Sequence, residues 1–473
     1  MNYLDFFREI SEIPRGSGNT RAISDYLVSF AQNRKLEYYR DDYNNVVIIK
    51  EASKGREDDE PLIIQGHMDM VAVSDDPAID MKVTGLSLCE DEEYLWADKT
   101  SLGADDGIAV AYGLALLDSE EISHPRLEMV VTVDEEIGML GADKIDLSML
   151  KGHTMLNIDS EEEGIFWVSC AGGTRMDVFY PLEKLSSDYL KDGVVYDISI
   201  DGLIGGHSGT EIDKGRANAI VLMNVILAKL HEAHLLIGIN GIKGGTADNA
   251  IAACCSARIF SKAIEPELFD IIKFEALENY LGIEKDARIT LKELEGYSMN
   301  PDAWYLLMDT GYTGFASTLS NGVLAMSRDI DGLVETSLNQ GLISLENGEI
   351  KIGLSIRSMI NDKKDDVVYA ITDKGYSYGA HFDVYGDYCG WEYRADSPLR
   401  NKMIETYKRM FNEEPEVKAL HAGLECGVLS QKIKDLDCVS FGPWIYDIHT
   451  TREKISLKSA ERIWNFIVEL ISK

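Results

Sequence analysis

Acidic and histidine side chains recur directly after short apolar runs in this 473-residue sequence. Such runs are typical of buried strands, and α/β proteins place their sites at the carboxyl ends of those strands. Imidazole nitrogens and carboxylate oxygens are ligands for Zn²⁺ and other divalent ions. We therefore expect a metal site built from the following residues: His67 and Asp69 in "IIQGHMDMV", Asp105 and Asp106 in "LGADDGIAVA", Glu135 and Glu136 in "VTVDEEIG", Asp159 in "LNIDSEEEG", and His449 in "WIYDIHTTREK".

Each of these stretches also has an ordinary structural interpretation. A histidine after a strand is more often a hydrogen-bonded core residue than a ligand. Asp105 and Asp106 could cap the helix that follows them, Asp159 could belong to a turn, and the acidic triplet 134–136 could be a solvated turn. Coincidence of all five stretches in one α/β domain favours the metal site.

The elements that must position these residues come from the apolar pattern. A helix with Ile23, Leu27 and Phe30 on one face follows a predicted cap at Asn19. Gly107–Ser119 is long and rich in alanine, which predicts a buried helix. Strands are predicted at 45–49, 62–65, 127–133 and 154–159. Strands that are apolar on both faces and alternate with helices indicate an α/β layer.

The pattern changes in the middle of the chain and then returns. Val194–Leu203 alternates polar and apolar residues like a half-exposed strand, and Arg216–Ala233 is a strong amphipathic helix. From about Asn401 the α/β pattern resumes, with a helix at 401–411, a strand at 436–441 and a last helix at 457–471. We therefore predict a discontinuous α/β domain, with a mixed sheet flanked by helices, that contains a large α+β insertion. The predicted boundaries are 1–172, 173–385 and 386–473.

Composition excludes several classes of function. The chain has 46 basic and 81 acidic residues, a net charge of −35, which disfavours binding to nucleic acid. No run of about 18 apolar residues occurs, so no membrane span is expected. The start has neither signal-peptide nor transit-peptide character, and seven scattered cysteines without a CxxC pair indicate reduced thiols. These features predict a cytoplasmic protein.

Many of these segments together resemble one known family. The sequence is similar from end to end to the di-zinc metallopeptidase and deacetylase superfamily, and within it to the bacterial aminoacyl-histidine dipeptidases (peptidase D, carnosinase-like). The motifs that carry the resemblance are "IPRGSGN", "GHMDMV", "ADKTSLGADDGIA", "DEEIGMLGA", "NIDSEEEG", "GLIGGHSGTEIDKGRANAI", "GGTADNAI", "SIRS" and "HAGLECG". The resemblance implies a zinc-peptidase catalytic domain with an inserted lid and dimerisation domain.

The resemblance also implies a metal centre and a catalytic base. It implies two divalent ions, Zn²⁺ in the first place with Co²⁺ or Mn²⁺ as alternatives, bridged by Asp105. His67 and Asp159 would complete the ligands of one ion, and Glu136 and His449 those of the other. Asp69 would accept the free ring N–H of His67. Because neighbouring side chains at a strand end point apart, Glu135 would stay off the metals and act as general base toward the bridging water.

The remaining implied roles concern the substrate. His207 would donate a hydrogen bond to the oxyanion, either from the same chain or from the partner of a homodimer. Asn249 and Arg357 would bind the substrate carboxylate, although Arg357 could instead form an ordinary salt bridge. Glu425 could meet the free amine or have a structural role. The implied reaction is hydrolysis of unsubstituted dipeptides, including Xaa-His such as β-alanyl-histidine.

Two other functions stay open at this point. One is an N-acyl amino acid deacylase on the same fold, and the other is a metal-binding homologue without catalysis. A serine hydrolase is not supported because no GxSxG motif occurs. A nucleotide-binding P-loop is absent from the sequence as well.

Overall fold

The structure is a computed structural model that describes residues 1–186, 188–189, 193–308, 311–328 and 330–472. These residues form two compact units. The first unit contains residues 1–170 and 391–419 and the chain from residue 424 onward, and the second contains residues 171–390 and 420–423. The first unit is therefore discontinuous in sequence.

A mixed sheet forms the centre of the first unit. In spatial order its strands are β1 (Glu37–Arg40), β2 (Val46–Lys50), β6 (Leu127–Thr132), β3 (Leu62–His67), β7 (Thr154–Asn157), β22 (Asp437–Ser440), β8 (Ile165–Cys170) and β21 (Glu416–Leu420). β3 is parallel to β6 and β7, and β22 is parallel to β7. The carboxyl ends of these four strands therefore meet at one edge. All residues of β3 and β6 are buried, which explains the uninterrupted apolar runs in the sequence.

Helices cover this sheet. The helices of the first unit are α1 (Tyr3–Ser11), α2 (Arg21–Arg34), α3 (Ala104–Asp118), α4 (Leu140–Lys144), α9 (Pro398–Phe411), α10 (Glu425–Lys432) and α11 (Leu457–Ser472). α3 is buried from Ala104 to Leu117, as its alanine-rich sequence predicted. The residue before α2 is Thr20 rather than the predicted cap Asn19, and its side chain makes no capping hydrogen bond. A smaller sheet joins β23 (Ile445–Tyr446), β24 (Lys454–Ser456), β5 (Tyr94–Ala97) and β4 (Leu88–Glu90).

The second unit contains an antiparallel sheet with helices. The order of its strands is β15 (Arg288–Glu293), β10 (Val194–Asp201), β14 (Cys255–Ser261), β12 (Leu236–Gly244), β18 (Val334–Glu346), β19 (Glu349–Ser358), β9 (Gly172–Pro181) and β20 (His381–Tyr388), with β16 (Tyr305–Leu306) beside β12 and β17 (Gly322–Met326) beside β18. The helices are α5 (Ala219–Glu232), α6 (Pro266–Leu277), α7 (Tyr312–Ala316) and α8 (Asn361–Ser377), and a short ladder pairs β11 (Gly206–His207) with β13 (Ala250–Ile251). The alternating burial of β10 follows the alternation seen in its sequence.

The sequence prediction of an α/β domain with an α+β insertion is confirmed in its main features. Among the described residues, none of the helices has the length and apolar character needed to span a bilayer.

Candidate metal centre

His67 is the last residue of β3, and its side chain is 1% exposed. Its Nε2 lies 3.3 Å from Asp105 Oδ1 and 3.5 Å from Asp159 Oδ1. Nδ1 lies 3.2 Å from the backbone oxygen of Asp69 and 3.5 Å from the carboxylate of that residue. Because a carbonyl oxygen can only accept, Nδ1 carries a proton, and Nε2 is the ring nitrogen that faces the carboxylates of Asp105 and Asp159.

Asp105 faces two histidines at once. Its Oδ1 is on the side of His67, and its Oδ2 lies 3.1 Å from His449 Nε2. The N-cap residue of α3 is Gly103, and Asp105 is the second residue of the helix, with non-helical backbone angles. The cap comes from Glu453, whose carboxylate accepts hydrogen bonds from the amides of residues 102–104 at 2.8–2.9 Å. The side chain of Asp105 is therefore free to bridge two cations.

The acidic triplet after β6 is held in place by backbone hydrogen bonds. The amides of Glu135 and Glu136 donate to the carboxylate of Asp69 at 3.1 and 3.4 Å, and the amide of Gly18 donates to Asp134 at 2.6 Å. The two glutamate side chains diverge from this anchored turn. Glu136 Oε2 lies 3.0 Å from His449 Nε2, whereas Glu135 Oε2 is 3.9 Å from His67 Nε2. The triplet is therefore an organised turn with two differently directed carboxylates.

The donor set fits divalent cations. Ligand atoms of His67, Asp105 and Glu136 lie within 4.8 Å of one another, and those of His67, Asp106 and Asp159 do as well. The buried Oε1 of Glu136 accepts no hydrogen bond from any described residue, which leaves a buried acceptor for a cation. Carboxylates outnumber imidazoles in this cluster, and such an excess of buried negative charge is offset by metal ions.

The pKa values reflect the crowding of these acids. Burial raises the pKa of Glu135 well above its usual range, and burial likewise raises that of Glu136. Burial also acts to raise the pKa of Asp105, but hydrogen bonds with His449 and His67 lower it below the ordinary value. Hydrogen bonds to Asp105 and Glu136 raise the pKa of His449 to about 10. Positive charge is therefore favoured throughout the cluster.

Two further acids lie near the cluster. Asp106, which the sequence analysis included in the expected metal site but to which the resemblance gave no role, accepts the backbone amide of His67 at 3.1 Å and is 1% exposed. Burial, with Asp105 and Asp159 nearby, raises the pKa of Glu161 to about 8. Glu161 belongs to the same "DSEEEG" stretch as Asp159, and its position two residues after that aspartate was the available signal.

Glu425 is the first residue of α10 and is fully buried. Its carboxylate accepts hydrogen bonds from Thr132 Oγ1 at 2.6 Å and from Gln65 Nε2. Burial raises its pKa to about 7. The other carboxylate oxygen is buried and accepts no hydrogen bond within the described chain. Glu425 therefore belongs to a polar network beside the strands that end at the metal centre.

In the second unit, His207 has a defined tautomer. Its Nδ1 lies 3.1 Å from the amide of Gly209 and 3.2 Å from that of Thr210, and an amide N–H can only donate. Nδ1 is therefore the acceptor, and the ring proton is on Nε2. Burial lowers the pKa of His207, and the nearby positive charge of Arg357 lowers it further. His207 thus presents a neutral N–H donor.

The other predicted substrate residues lie on neighbouring segments of the same unit. Arg357 is on β19, and its Nη1 donates to the hydroxyl of Tyr388 at 2.9 Å. Its Nε is buried without a hydrogen-bond partner among the described residues. Asn249 precedes β13, and its backbone oxygen accepts the amide of Ser208 at 2.9 Å. The unit therefore contains a half-buried cation whose Nε is a buried and unused donor.

His421 also belongs to this unit, although the sequence analysis gave it no role. It is 6% exposed, and its Nε2 lies 2.8 Å from Ser337 Oγ. Burial first, and the charge of Arg357 second, lower its pKa to about 4. The sequence signal for His421 was its place in the "HAGLECG" motif, but only the glutamate of that motif was considered as a site residue.

The buried neutral state of His421 predicts a pH-dependent stability. The unfolded chain takes up a proton at this residue near pH 6.5, but the folded chain does so only near pH 4. The contribution of neutral His421 to the free energy of unfolding is therefore fully present above about pH 6.5. It is lost as the pH falls toward 4, and the loss amounts to about 3 kcal/mol. We expect His421→Gln to reduce the loss of unfolding free energy between pH 7 and 4.5, measured by urea titration. The exposed His234→Gln should leave that loss unchanged, and an equal loss in all three proteins would contradict the assignment.

Comparison with known proteins agrees with this geometry. The model of peptidase family M20/M25/M40 matches residues 63–473. The cytosol non-specific dipeptidase of Escherichia coli (strain K12) is 33% identical over 477 aligned positions, which cover 99% of the chain and 96% of that protein. The crystal structure of aminoacylhistidine dipeptidase from Vibrio alginolyticus superposes with a TM-score of 0.92 at 32% identity, covering 99% of this chain and 96% of that one.

A more distant structure shares the fold alone. The aminopeptidase PepT from Bacillus cereus ATCC 10987 has a TM-score of 0.56 at 16% identity, with 100% of this chain and 97% of that chain covered. The fold and the clustered histidine and carboxylate donors define a metal-dependent hydrolase. The chain belongs to peptidase family M20/M25/M40, and the class of enzyme and the fold predicted from its motifs are confirmed.

Proposed function

We propose that the chain is a dinuclear metallodipeptidase that hydrolyses unsubstituted dipeptides, including Xaa-His dipeptides such as β-alanyl-histidine. One observation carries the proposal: the two carboxylate oxygens of Asp105 face different histidines, His67 at 3.3 Å and His449 at 3.1 Å. A carboxylate in this position can bridge two ions. Similarity to two dipeptidases over nearly the full length supports the choice of substrate class.

The metal ligands follow from these distances. Asp105 would bridge two divalent ions, with Zn²⁺ as the first choice and Co²⁺ or Mn²⁺ as alternatives. His67 and Asp159 would complete one ligand set, and Glu136 and His449 the other. Asp69 would orient His67 and at the same time hold the turn that carries both glutamates, since its carboxylate accepts their amides. A residue that orients ligands in this way typically affects metal affinity or activity by about 10–100-fold.

Glu135 is proposed as the general base. When bound, the two ions would polarise the peptide carbonyl and lower the pKa of the attacking water to about 7. Glu135 would take a proton from the attacking water and pass it to the leaving amine. Its Oε2 is further from His67 Nε2 than the oxygens of Asp105 and Asp159 are, at 3.9 Å against 3.3 and 3.5 Å. This greater distance suits a group that handles protons rather than binding metal.

The residues of the second unit are proposed to recognise the substrate. His207 would donate its Nε2–H to the developing oxyanion, from the same chain or from the partner of a homodimer. Arg357, with its unused Nε, and Asn249 would bind the C-terminal carboxylate, for which a guanidinium supplies parallel donors. Glu425 would meet the substrate's free amine. Its complete burial gives an amine there a strong electrostatic partner.

The two units would have separate tasks under this proposal. The discontinuous unit would be the catalytic domain, with predicted segments 1–172 and 386–473. The insertion, predicted at 173–385, would be a lid and dimerisation domain that excludes water and limits substrate length. The enzyme would act as a homodimer in the cytoplasm on small peptides, without nucleic acid or membrane partners.

A substrate panel tests the proposed function. The Zn²⁺-loaded protein is assayed with β-alanyl-histidine, alanyl-alanine, trialanine and N-acetyl-alanine. We expect both free dipeptides to be hydrolysed and the other two compounds to be cleaved at least ~10-fold more slowly, because recognition of both chain ends rejects analogues that lack one. The readout is kcat/KM from amine release.

The control in this panel is the same protein treated with a chelator, which should be inactive and should recover when Zn²⁺ is restored. Preferred hydrolysis of N-acetyl-alanine would replace the proposal by a deacylase. Comparable hydrolysis of trialanine would contradict a strict dipeptidase, and absence of any hydrolysis with Zn²⁺, Mn²⁺ or Co²⁺ would favour a metal-binding protein without catalysis.

A further inference from the structure

Arg15 lies in the "IPRGSGN" motif, ahead of the region that the family model matches. Its side chain is 2% exposed. Nη1 donates to the backbone oxygens of Met68 at 3.0 Å and Asp69 at 3.2 Å, and Nη2 donates to the backbone oxygen of Gly103. The first two follow His67, and the third precedes Asp105. One guanidinium thus joins the two backbone segments that supply the central ligand and its neighbouring histidine.

Two glycines make room for this guanidinium. A Cβ atom at Gly103 would lie 2.7 Å from Arg15 Nη2, and a Cβ atom at Gly107 would collide with the same nitrogen. Gly103 also has a φ of +63°, which side chains rarely adopt. The start of α3 is therefore shaped around the arginine.

The charge of Arg15 interacts with several of the buried acids. Its hydrogen bonds within the described chain go to carbonyl oxygens, so no carboxylate is paired with it directly. Four buried carboxylates nevertheless favour its charged form: Glu453, Asp69, Asp106 and Asp105. Burial lowers the pKa of Arg15, but an arginine keeps its proton in proteins. The result is a permanent buried cation shared among several acids.

The residues next to Arg15 extend the same contacts. Ser17 Oγ donates to Asp69 Oδ2 at 2.8 Å, and the amide of Gly18 donates to Asp134 Oδ1 at 2.6 Å. Residues 15–18 therefore contact all three segments that carry His67, Asp105 and the Glu135–Glu136 pair. Glu453 accepts hydrogen bonds from the amides of residues 102–104, so the segment before Asp105 is held by both an arginine and a glutamate.

We propose that Arg15 is the internal counter-cation of the metal centre, a positioning residue that offsets the repulsion among the carboxylates and holds the His67 and Asp105 segments together when no ion is bound. The inference rests on the proposed metal centre but not on the proposed substrate. Bound ions would supply the same compensation, so the cation of Arg15 stabilises the metal-free protein more than the loaded one.

The test compares unfolding midpoints of chelator-treated and Zn²⁺-saturated protein for the wild type, Arg15→Met and Arg15→Lys. Arg21→Met is the matched control, because Arg21 is an exposed arginine of the same unit. We expect Arg15→Met to lower the thermal unfolding midpoint of the chelator-treated protein more than that of the Zn²⁺-saturated protein. The gap, meaning the difference between these two midpoints, should widen by about 2–4 °C or more. Arg15→Lys keeps the charge without the planar fork and should show nearly the wild-type gap. Arg21→Met should leave the gap unchanged.

Equal losses in both forms of Arg15→Met would overturn the inference, because they would mean that Arg15 acts only by packing. A widened gap in Arg15→Lys as large as that in Arg15→Met would overturn it as well. If Arg15→Met is obtained folded only with Zn²⁺, that supports the inference. Absence of any Zn²⁺-induced rise in the wild type would overturn the metal centre together with this inference, whereas a failed dipeptide assay would affect the substrate proposal alone.

Discussion

Glu135→Ala is expected to retain the full metal content of the wild type and to lose about 10²–10⁴-fold in kcat, whereas Glu136→Ala is expected to lose metal. The two residues are adjacent, yet their carboxylates have different surroundings. Glu136 Oε2 lies 3.0 Å from His449 Nε2, and the other oxygen of Glu136 is a buried acceptor without a hydrogen bond from the described residues. Glu135 Oε2 lies 3.9 Å from His67 Nε2. One glutamate is therefore positioned to bind metal and the other to move protons.

Each of these variants controls for the other. Both remove a carboxylate from the same turn, so a general disturbance of that turn would affect both in the same way. Metal content is measured by plasma mass spectrometry after gel filtration, and kcat with β-alanyl-histidine at saturating Zn²⁺. Glu135→Gln keeps the size of the side chain and should behave like Glu135→Ala. Near-normal turnover in Glu135→Ala at equal metal content would refute the division of roles.

The second large effect is expected for His207→Ala, a decrease in kcat of about 10²–10³-fold that corresponds to loss of one oxyanion donor. The reason is the tautomer: the amides of Gly209 and Thr210 donate to Nδ1, so the proton on Nε2 is available to the substrate. Because burial lowers the pKa of His207, the ring is neutral at the pH of the assay. The measurement is kcat and KM at pH 7.5, with His234→Ala as an exposed control in the same unit.

His207→Ala should retain its metal content, since this residue is not a proposed ligand. A kcat within about twofold of the wild type would contradict the role. Mixing subunits then separates the two possible sources of the histidine. If His207 acts across a dimer, combining Glu135→Ala with His207→Ala subunits restores activity at one site of each mixed dimer. If it acts within its own chain, the mixture stays inactive.

Much of the first unit could be predicted because its central strands are parallel and buried. The apolar runs of β3 and β6 end at His67 and just before the acidic triplet, and the edge where parallel strands end brings such residues together. Asp159, which follows β7, could be found in the same way, whereas Asp105 was found at the start of a predicted helix. The alternation of β10 likewise revealed the antiparallel character of the insertion.

The supporting residues could not be predicted because their contacts join loops that are far apart in the chain. Arg15 binds carbonyl groups 53, 54 and 88 positions away, and Glu453 caps a helix that begins about 350 positions earlier. No periodicity marks such residues. His421 is 6% exposed and contacts Ser337, 84 positions away, and no local pattern in the sequence marks that contact.

The number of zinc ions bound per chain tests the central claim most directly. The protein is loaded with Zn²⁺, freed of excess metal by gel filtration and measured by plasma mass spectrometry, with Asp105→Ala measured beside it. The account predicts two ions per wild-type chain and fewer than one in Asp105→Ala, because both ions depend on that one carboxylate. A wild-type chain that binds one ion or none, or an Asp105→Ala chain that still binds two, would contradict it.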